Sequence, residues 1–350
     1  MEPLLFALSG VLAEVPEAAL RATLPLWSVV QVREQSFLWR QGRPADAFAL
    51  VLAGALDVLV DGTVIGRVEA GDTIGESALY TGEGRRFASV RASVRTHALV
   101  LSRAGIVQLR ALGCPVHDAL LRRAIAGATH RSQVFDRVLA QLQVGKFAAP
   151  SSGSSGIFRR LWRRVARTTP NPADCPPLTG FLAHHPLLGR ATPQVRAAIA
   201  EAFTPQAFRA GQVLLRQGDA DARVLVLAAG QADVLRTVDA RGGALLLGRL
   251  EPGALVGIDA FAGAARTASI VATTAGWVHV MTREAFERLP PPARTTWLEV
   301  TLAGSVRRFE AAAQALQAAI GVFASRHEEA TPSQNLATGP QPASAAWRHR

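Results

Sequence analysis

An internal repeat constrains this chain more than any other feature, because self-similarity at a fixed offset sets the architecture before any motif is read. Trp39-Arg-Gln-Gly42 returns as Leu215-Arg-Gln-Gly218, with the two glycines 176 residues apart. Leu52-Ala-Gly-Ala-Leu-Asp-Val58 returns as Ala228-Ala-Gly-Gln-Ala-Asp-Val234 at the same offset. Glu69-Ala-Gly71 then matches Glu251-Pro-Gly253, where the offset has grown to 182. The added residues fall in Val-Asp-Ala-Arg-Gly-Gly at 238–243, which reads as a longer hairpin turn. At 350 residues, each copy is long enough to bury its own core.

Within the first copy, β-type runs at Ala49 to Ala53, Leu56 to Val60, Thr63 to Val68, Ser89 to Arg95 and His97 to Ser102 are separated by turn residues such as Gly54, Asp61-Gly62 and Gly71-Asp72. Short strands at this spacing predict a barrel or roll. After Ser102 the pattern becomes helical. A short helix from Arg103 to Leu112 is stopped by Gly113 and Pro115, and a long one from Val116 to Gln143 carries Leu120, Leu121, Ile125, Val134, Val138, Leu139 and Leu142 at helical spacing. The second copy repeats this with Arg283 to Leu289, a break at Pro290 to Pro292, and a helix from Arg294 to Phe323. The expected fold class is mainly β with α: two β-rolls, each followed by a short helix and a long C-terminal helix. Domain boundaries are set at 1–145 and 178–324, with a flexible linker at 146–177 and a Pro, Gln, Ser and Ala-rich disordered tail at 325–350.

The formal net charge of +11 would ordinarily point to an acidic partner. Lys146 is the only lysine, however, and an Arg- and Ala-rich bias of this kind fits a GC-rich coding sequence, so dispersed, solvated charge accounts for most of it. The exception is Ile157 to Arg167 in the linker. Five arginines there interleave with apolar residues at 157, 158, 161, 162 and 165, and no acid intervenes. Such a helix docks on a roll, or meets an anionic membrane surface or acidic partner. Cys114 and Cys175 stand far apart and read as reduced, structural thiols. The N-terminus lacks the basic residues of a signal peptide, and no window approaches a bilayer span, so a cytoplasmic protein is expected.

The most specific stretch runs from Gly71 through Gly75-Glu76-Ser77-Ala78 to Arg86, Phe87 and Arg91. A turn glycine feeding one helical turn presents unpaired backbone N–H groups, a natural anion site. Glu76 can accept a hydrogen bond from a ribose hydroxyl, and an arginine opening the next strand can fold back onto a phosphate. In the second copy Gly257, Arg266 and Thr267 occupy the matching places. There Ile258 stands where Glu76 does, and Asp259 is one residue, about 100° of helical turn, out of place.

These cassettes resemble those of the cyclic nucleotide-binding domain family, which read Gly-Glu-x-Ala/Gly-Leu, a short loop, then Arg-Ser/Thr/Ala-Ala and an apolar strand. The Arg-Gln-Gly turn and the Leu-Ala-Gly-x-x-x-Val strand pair resemble it too, and the likeness covers about 13 to 143 and 178 to 323. The resemblance implies that Glu76 contacts the ribose, that Arg86 contacts the cyclic phosphate, and that the N–H groups of Ser77 and Ala78 lie near its oxygens. It further implies a lid from the long helix, with Thr129 and Ser132 as polar contacts. Phe87 departs from the small residue usual after the arginine. It can stack on a ligand, fill the pocket in place of one, or point into the core.

Cyclic AMP or cyclic GMP is therefore the candidate ligand for the first copy, with the second degenerate. The chain would be a sensor whose helices rearrange to signal to a protein partner or, through the long helices, to a second copy. The competing reading is a ligand-independent assembly scaffold. No Ser/His/Asp or Cys/His constellation, P-loop or metal-spaced cluster supports an enzyme. His184 and His185, adjacent on a helix, are expected to face different ways and share no metal, and Asp46 and Asp57 are read as structural. Nucleic acid is not expected as a partner, because a linker and a second roll stand where a helix-turn-helix domain would follow.

Overall fold

The computed structural model describes residues 2–76, 84–144, 175–237, 244–258 and 266–330. In the first copy, α1 (Glu2–Val11) and α2 (Glu17–Thr23) lead into β1 (Trp27–Val32), β2 (Phe37–Trp39), β3 (Ala47–Ala53), β4 (Ala55–Val60), β5 (Thr63–Glu69), β6 (Thr73–Ile74), β7 (Ser89–Ala92) and β8 (Thr96–Ser102). The helices α3 (Arg103–Ala111) and α4 (Pro115–Val144) follow. The second copy runs α5 (Leu178–His184), α6 (Pro193–Glu201), β9 (Thr204–Phe208), β10 (Val213–Leu215), β11 (Arg223–Ala229), β12 (Ala232–Thr237), β13 (Ala244–Leu250), β14 (Leu255–Val256), β15 (Ser269–Ala272), β16 (Gly276–Thr282), α7 (Arg283–Glu287) and α8 (Pro291–Ala330).

Each copy forms two four-stranded sheets. The orders β1-β8-β3-β6 and β2-β7-β4-β5 recur strand for strand as β9-β16-β11-β14 and β10-β15-β12-β13. The fold class is the expected one, two β-rolls with helices. Strand β3 shows why a nearly continuous apolar run suits this position. Successive side chains face opposite ways, so Ala49 and Val51 enter the roll interior while Phe48 and Leu50 pack beneath the N-terminal helices. The strands β1 and β2 escaped the sequence pattern, because β1 is buried only at its ends and β2 has three half-buried residues.

The helix starts follow local chemistry. Ser102 Oγ accepts from the Gly105 N–H (3.1 Å), and Thr282 Oγ1 accepts from the Ala285 N–H (3.2 Å), capping α3 and α7 at matching repeat positions. The proline run expected to break the chain before Arg294 instead opens α8, which begins at Pro291. A proline in the first turn costs no hydrogen bond, since that N–H has no intrahelical partner. The helix continues to Ala330, past the boundary set at 325. The linker, including Ile157 to Arg167, the 238–243 turn and the tail from 331 lie outside the described residues.

The two long helices meet within the chain. Asp118 of α4 accepts from Arg294 Nε (3.1 Å) and Thr295 Oγ1 (2.5 Å) of α8, and farther along Phe135 stacks on Phe309 with centroids 5.4 Å apart. Early residues meet early ones and late meet late, so the helices run parallel. Asp118 and Arg294 lie 176 residues apart, the offset of the first matched segments. Arg110 of α3 also pairs with Glu299 of α8 at 3.0 Å. The helix surface expected to serve a second copy is thus covered in part by the chain's own other half.

The long helix α8 serves both halves. Its first part, with Trp297, Leu298 and Leu302, joins Leu121, Ala124, Ile125 and Ala128 of α4 in a core under the second roll. Its later residues Phe309, Ala312, Ala313 and Leu316 enter the core of the first roll, where Gln317 Nε2 donates to the Val60 carbonyl (3.1 Å). Among the described residues, the second roll's interior core is built only from that roll.

Candidate functional site

The first cassette begins where β6 ends at Ile74. Gly75 has φ +89°, and a Cβ there would lie 2.6 Å from Arg86 Nη1 and 2.6 Å from the Trp39 ring, so only glycine fits. Trp39, at the end of β2, forms the platform of the site: the Arg86 guanidinium lies 3.7 Å from the centroid of its ring. Arg86 Nη1 donates weakly to the Gly75 carbonyl (3.4 Å), and Nη2 is 3.6 Å from Asp46 Oδ1. Its Nε and Nη2 have no hydrogen-bond acceptor among the described residues. Burial lowers the Arg86 pKa to about 10, with Asp46 and Glu76 opposing the shift. It remains a cation at neutral pH.

Glu76 is buried beside it. Arg131 of α4 donates through Nη2 to Glu76 Oε1 at 2.6 Å, while Oε2 has no donor among the described residues. Burial pushes the carboxyl pKa up and Arg131 pulls it back. A buried polar atom left without a partner costs roughly 1–3 kcal/mol. Three such atoms on two residues that line one cavity could be satisfied by a polar ligand. A carboxylate oxygen able to take a hydroxyl, next to guanidinium N–H groups able to take a phosphate, suits a sugar bearing a phosphate.

The cavity is lined by Trp39, Ile74, Gly75, Glu76, Arg86, Phe87, Ala88, Val90, Ala128, Arg131, Val306, Phe309 and Val58, and measures about 40 Å³. Of the sequence-predicted residues, Gly75, Glu76, Arg86 and Phe87 come together here. Ser77 and Ala78 lie outside the described residues. Thr129 and Ser132 are buried on α4 but do not line the cavity, and the Ser132 hydroxyl donates to the Ala128 carbonyl (3.0 Å). The α4 residues that do line it are Ala128 and Arg131. Sequence reasoning also missed Trp39, visible only as part of a repeated turn, and Phe309, which comes from the other half. Phe87 packs against the Phe309 ring edge, centroids 6.1 Å apart, beside the cavity.

The second cassette keeps the arginine and closes around it. Gly257 has φ +77°, Arg266 Nη1 donates to the Gly257 carbonyl (3.0 Å), and Nη2 donates to the Arg223 carbonyl (2.5 Å). Ile258 is buried in the core beneath the roll, where a Cβ on Gly304 of α8 would come within 2.5 Å of its Cδ1. The Thr267 carbonyl accepts from Arg236 Nε (3.2 Å). Asp259 lies outside the described residues.

A larger open groove of about 520 Å³ lies elsewhere, between α5 and the second roll, lined by Pro176, Phe181, His184, His185 and His279 among others. Both adjacent histidines border it, contrary to expectation, because α5 ends at His184 and His185 is extended. Their ring nitrogens are engaged by backbone: His184 Nδ1 is 2.8 Å from the Gly180 carbonyl, and His185 Nδ1 accepts from Leu187 and Leu188 N–H (3.3 Å each). Asp57, read as structural, pairs with Arg67 (3.0 Å) and Arg91 (3.8 Å), whereas Asp46 stands beside Arg86. Among the described residues there is no group of three or more His, Cys, Asp or Glu placed to hold a metal, and no helix long and apolar enough to cross a membrane.

The cyclic nucleotide-binding domain family model matches residues 29–111 and 205–290. An uncharacterized protein of Mycobacterium tuberculosis (strain H37Rv) is 48% identical over 84 residues, 23% of this chain and 16% of its own length, so the chain matches only a small part of that relative. Among solved structures, the regulatory domain of Toxoplasma gondii PKA with cAMP is 17% identical, with 94% of this chain and 96% of that one covered at a TM-score of 0.30. A cyclic nucleotide-binding domain from Methylobacillus flagellatus is 24% identical, covering 42% of this chain and 86% of that one at a TM-score of 0.36.

Proposed function

Both rolls belong to the cyclic nucleotide-binding domain family, and from that premise we propose that the chain is a non-catalytic cytoplasmic sensor whose first roll binds cyclic AMP or cyclic GMP. The observation that carries this reading is that Glu76 Oε2 and Arg86 Nε and Nη2, all buried and without a hydrogen-bond partner among the described residues, belong to residues lining one cavity. A bound cyclic nucleotide would supply a ribose hydroxyl and an anionic phosphate. Glu76 would accept from the hydroxyl, and Arg86, held in place by the Trp39 ring, would donate to the phosphate. The second roll contributes structure: its arginine is clamped by two carbonyls and its acidic position is filled by a core isoleucine. The output is a change in the paired helices read by a protein partner.

Calorimetric titration of the full chain with cyclic AMP and cyclic GMP tests this. Wild type is expected to bind at one site, Arg86→Ala to lose at least about 100-fold in affinity, and Arg266→Ala to bind like wild type. Absence of binding by either nucleotide sinks the proposal. The cavity of about 40 Å³ favours a second reading, in which the first roll has become a scaffold filled by Phe87 and Phe309. That reading expects no titration signal, and a loss of stability with no change in binding for Arg86→Ala.

A further inference from the structure

Resting on the ligand reading above, we propose that the first roll's site is held shut by the terminal helix of the other half: α8, through Phe309, occupies the space a nucleotide must enter, so ligand binding and docking of α8 exclude each other. Phe309 is 8% exposed. It stacks on Phe135, meets Phe87 edge-on, and lies 5.5 Å under the Arg131 guanidinium. With Val306 it lines the cavity that Glu76, Arg86 and Trp39 also line. The space left, about 40 Å³, is near that of a single water, whereas small-molecule sites take roughly 300 Å³ or more. On this proposal a nucleotide enters when the Phe309 wall moves.

The helix is built to move in part. Its first portion is fixed in the second half's core by Trp297, Leu298, Val300 and Leu302. Its later portion touches the first roll through Phe309, Ala312, Ala313, Leu316 and Gln317. Between them stands Gly304, and the hydroxyls of Thr296, Thr301 and Ser305 bond back to the carbonyls of Pro292, Trp297 and Thr301. Glycine lowers helix propensity and back-bonded hydroxyls favour bending, so a weak point lies where the two portions join. The Arg131–Glu76 pair is the second latch: Arg131 holds Oε1 of Glu76, leaves Oε2 to a ligand, and leans on Phe309 at the same time. A ligand that claims Glu76 and evicts Phe309 would loosen both, and the second half would report occupancy of the first.

Apparent affinity falls in proportion to the fraction of molecules in which the site is open. Removing the plug should raise it. In the full chain, Phe309→Ala is expected to bind cyclic AMP or cyclic GMP at least about 10-fold more tightly than wild type, with Phe309→Leu between the two. Hydrogen exchange should speed up over residues 306–317 when nucleotide is added to wild type. Equal or weaker affinity of a folded Phe309→Ala protein, with exchange over 306–317 unchanged by ligand, overturns the plug while leaving the site itself standing. If neither protein binds nucleotide, the ligand reading fails, and exchange over residues 84–92 judges the plug alone: faster in Phe309→Ala supports it, unchanged refutes it. Phe309→Leu keeps the core filled should the alanine variant fail to fold.

Discussion

The two cassettes share a backbone and differ in what stands behind it. In each, a glycine with positive φ offers its carbonyl to an arginine three residues before the next strand, at 3.4 Å from Arg86 and 3.0 Å from Arg266. In the first, the neighbouring residue is Glu76, whose charge requires Arg131 and leaves an oxygen unpartnered among the described residues. In the second it is Ile258, which packs into the core beside α8 and leaves the arginine to two carbonyls. The roll tolerates either arrangement. The difference between the two cassettes thus rests on one side chain and on the helix that reaches it, not on the strand framework.

The sharpest way to break this comparison is to give the second cassette the first one's acid. Ile258→Glu places a carboxylate in an apolar core, and should cost about 3 kcal/mol or more, read as a lower midpoint in denaturant melts. A folded Ile258→Glu protein that binds a second nucleotide would show the two cassettes to be equivalent after all.

A smaller effect is expected where the halves meet. Burial lowers the His117 pKa to about 4, with Asp118 opposing, and raises that of Glu299 to about 7, with Arg110 opposing. The stability His117 contributes is present above its unfolded pKa of about 6.5 and lost as pH falls toward 4; that of Glu299 is present below about 4.5 and lost as pH rises through 7. The slopes oppose each other between pH 4.5 and 6.5. In urea melts, Glu299→Gln should therefore lose stability on acidification through that window, and His117→Gln should gain it. A pair of variants with the same slope would contradict the opposed burial of the two groups.

The smallest effect tests where the copies are alike. Ser102→Ala and Thr282→Ala remove the same cap from α3 and α7, and each should cost about 1 kcal/mol. A clear difference between them in urea melts would show that the repeat's local equivalence does not extend to energetics.

Much of the fold was legible because it is local. Turn glycines and short β-type runs act over a few residues, and the repeat allowed each to be read twice. The short strands β1 and β2 were not, since their burial depends on neighbours distant in sequence. In the site, Gly75, Glu76 and Arg86 were legible from spacing, whereas Arg131 was hidden between two hydroxyl residues that drew attention for their polarity. Helical spacing places residues 128 and 131 on one face, but only packing shows which face meets the cassette.

By itself the sequence determined that this chain is one roll written twice, with an intact acid and arginine in the first copy and an isoleucine in the second. The tertiary structure alone decided that the first site is walled by Phe309, more than 200 residues away from Glu76. An apolar stripe on a helix specifies that it will be buried, because water disfavours it, but not against which partner. That choice belongs to the parallel pairing of α4 and α8, which carries the end of the second half into the first.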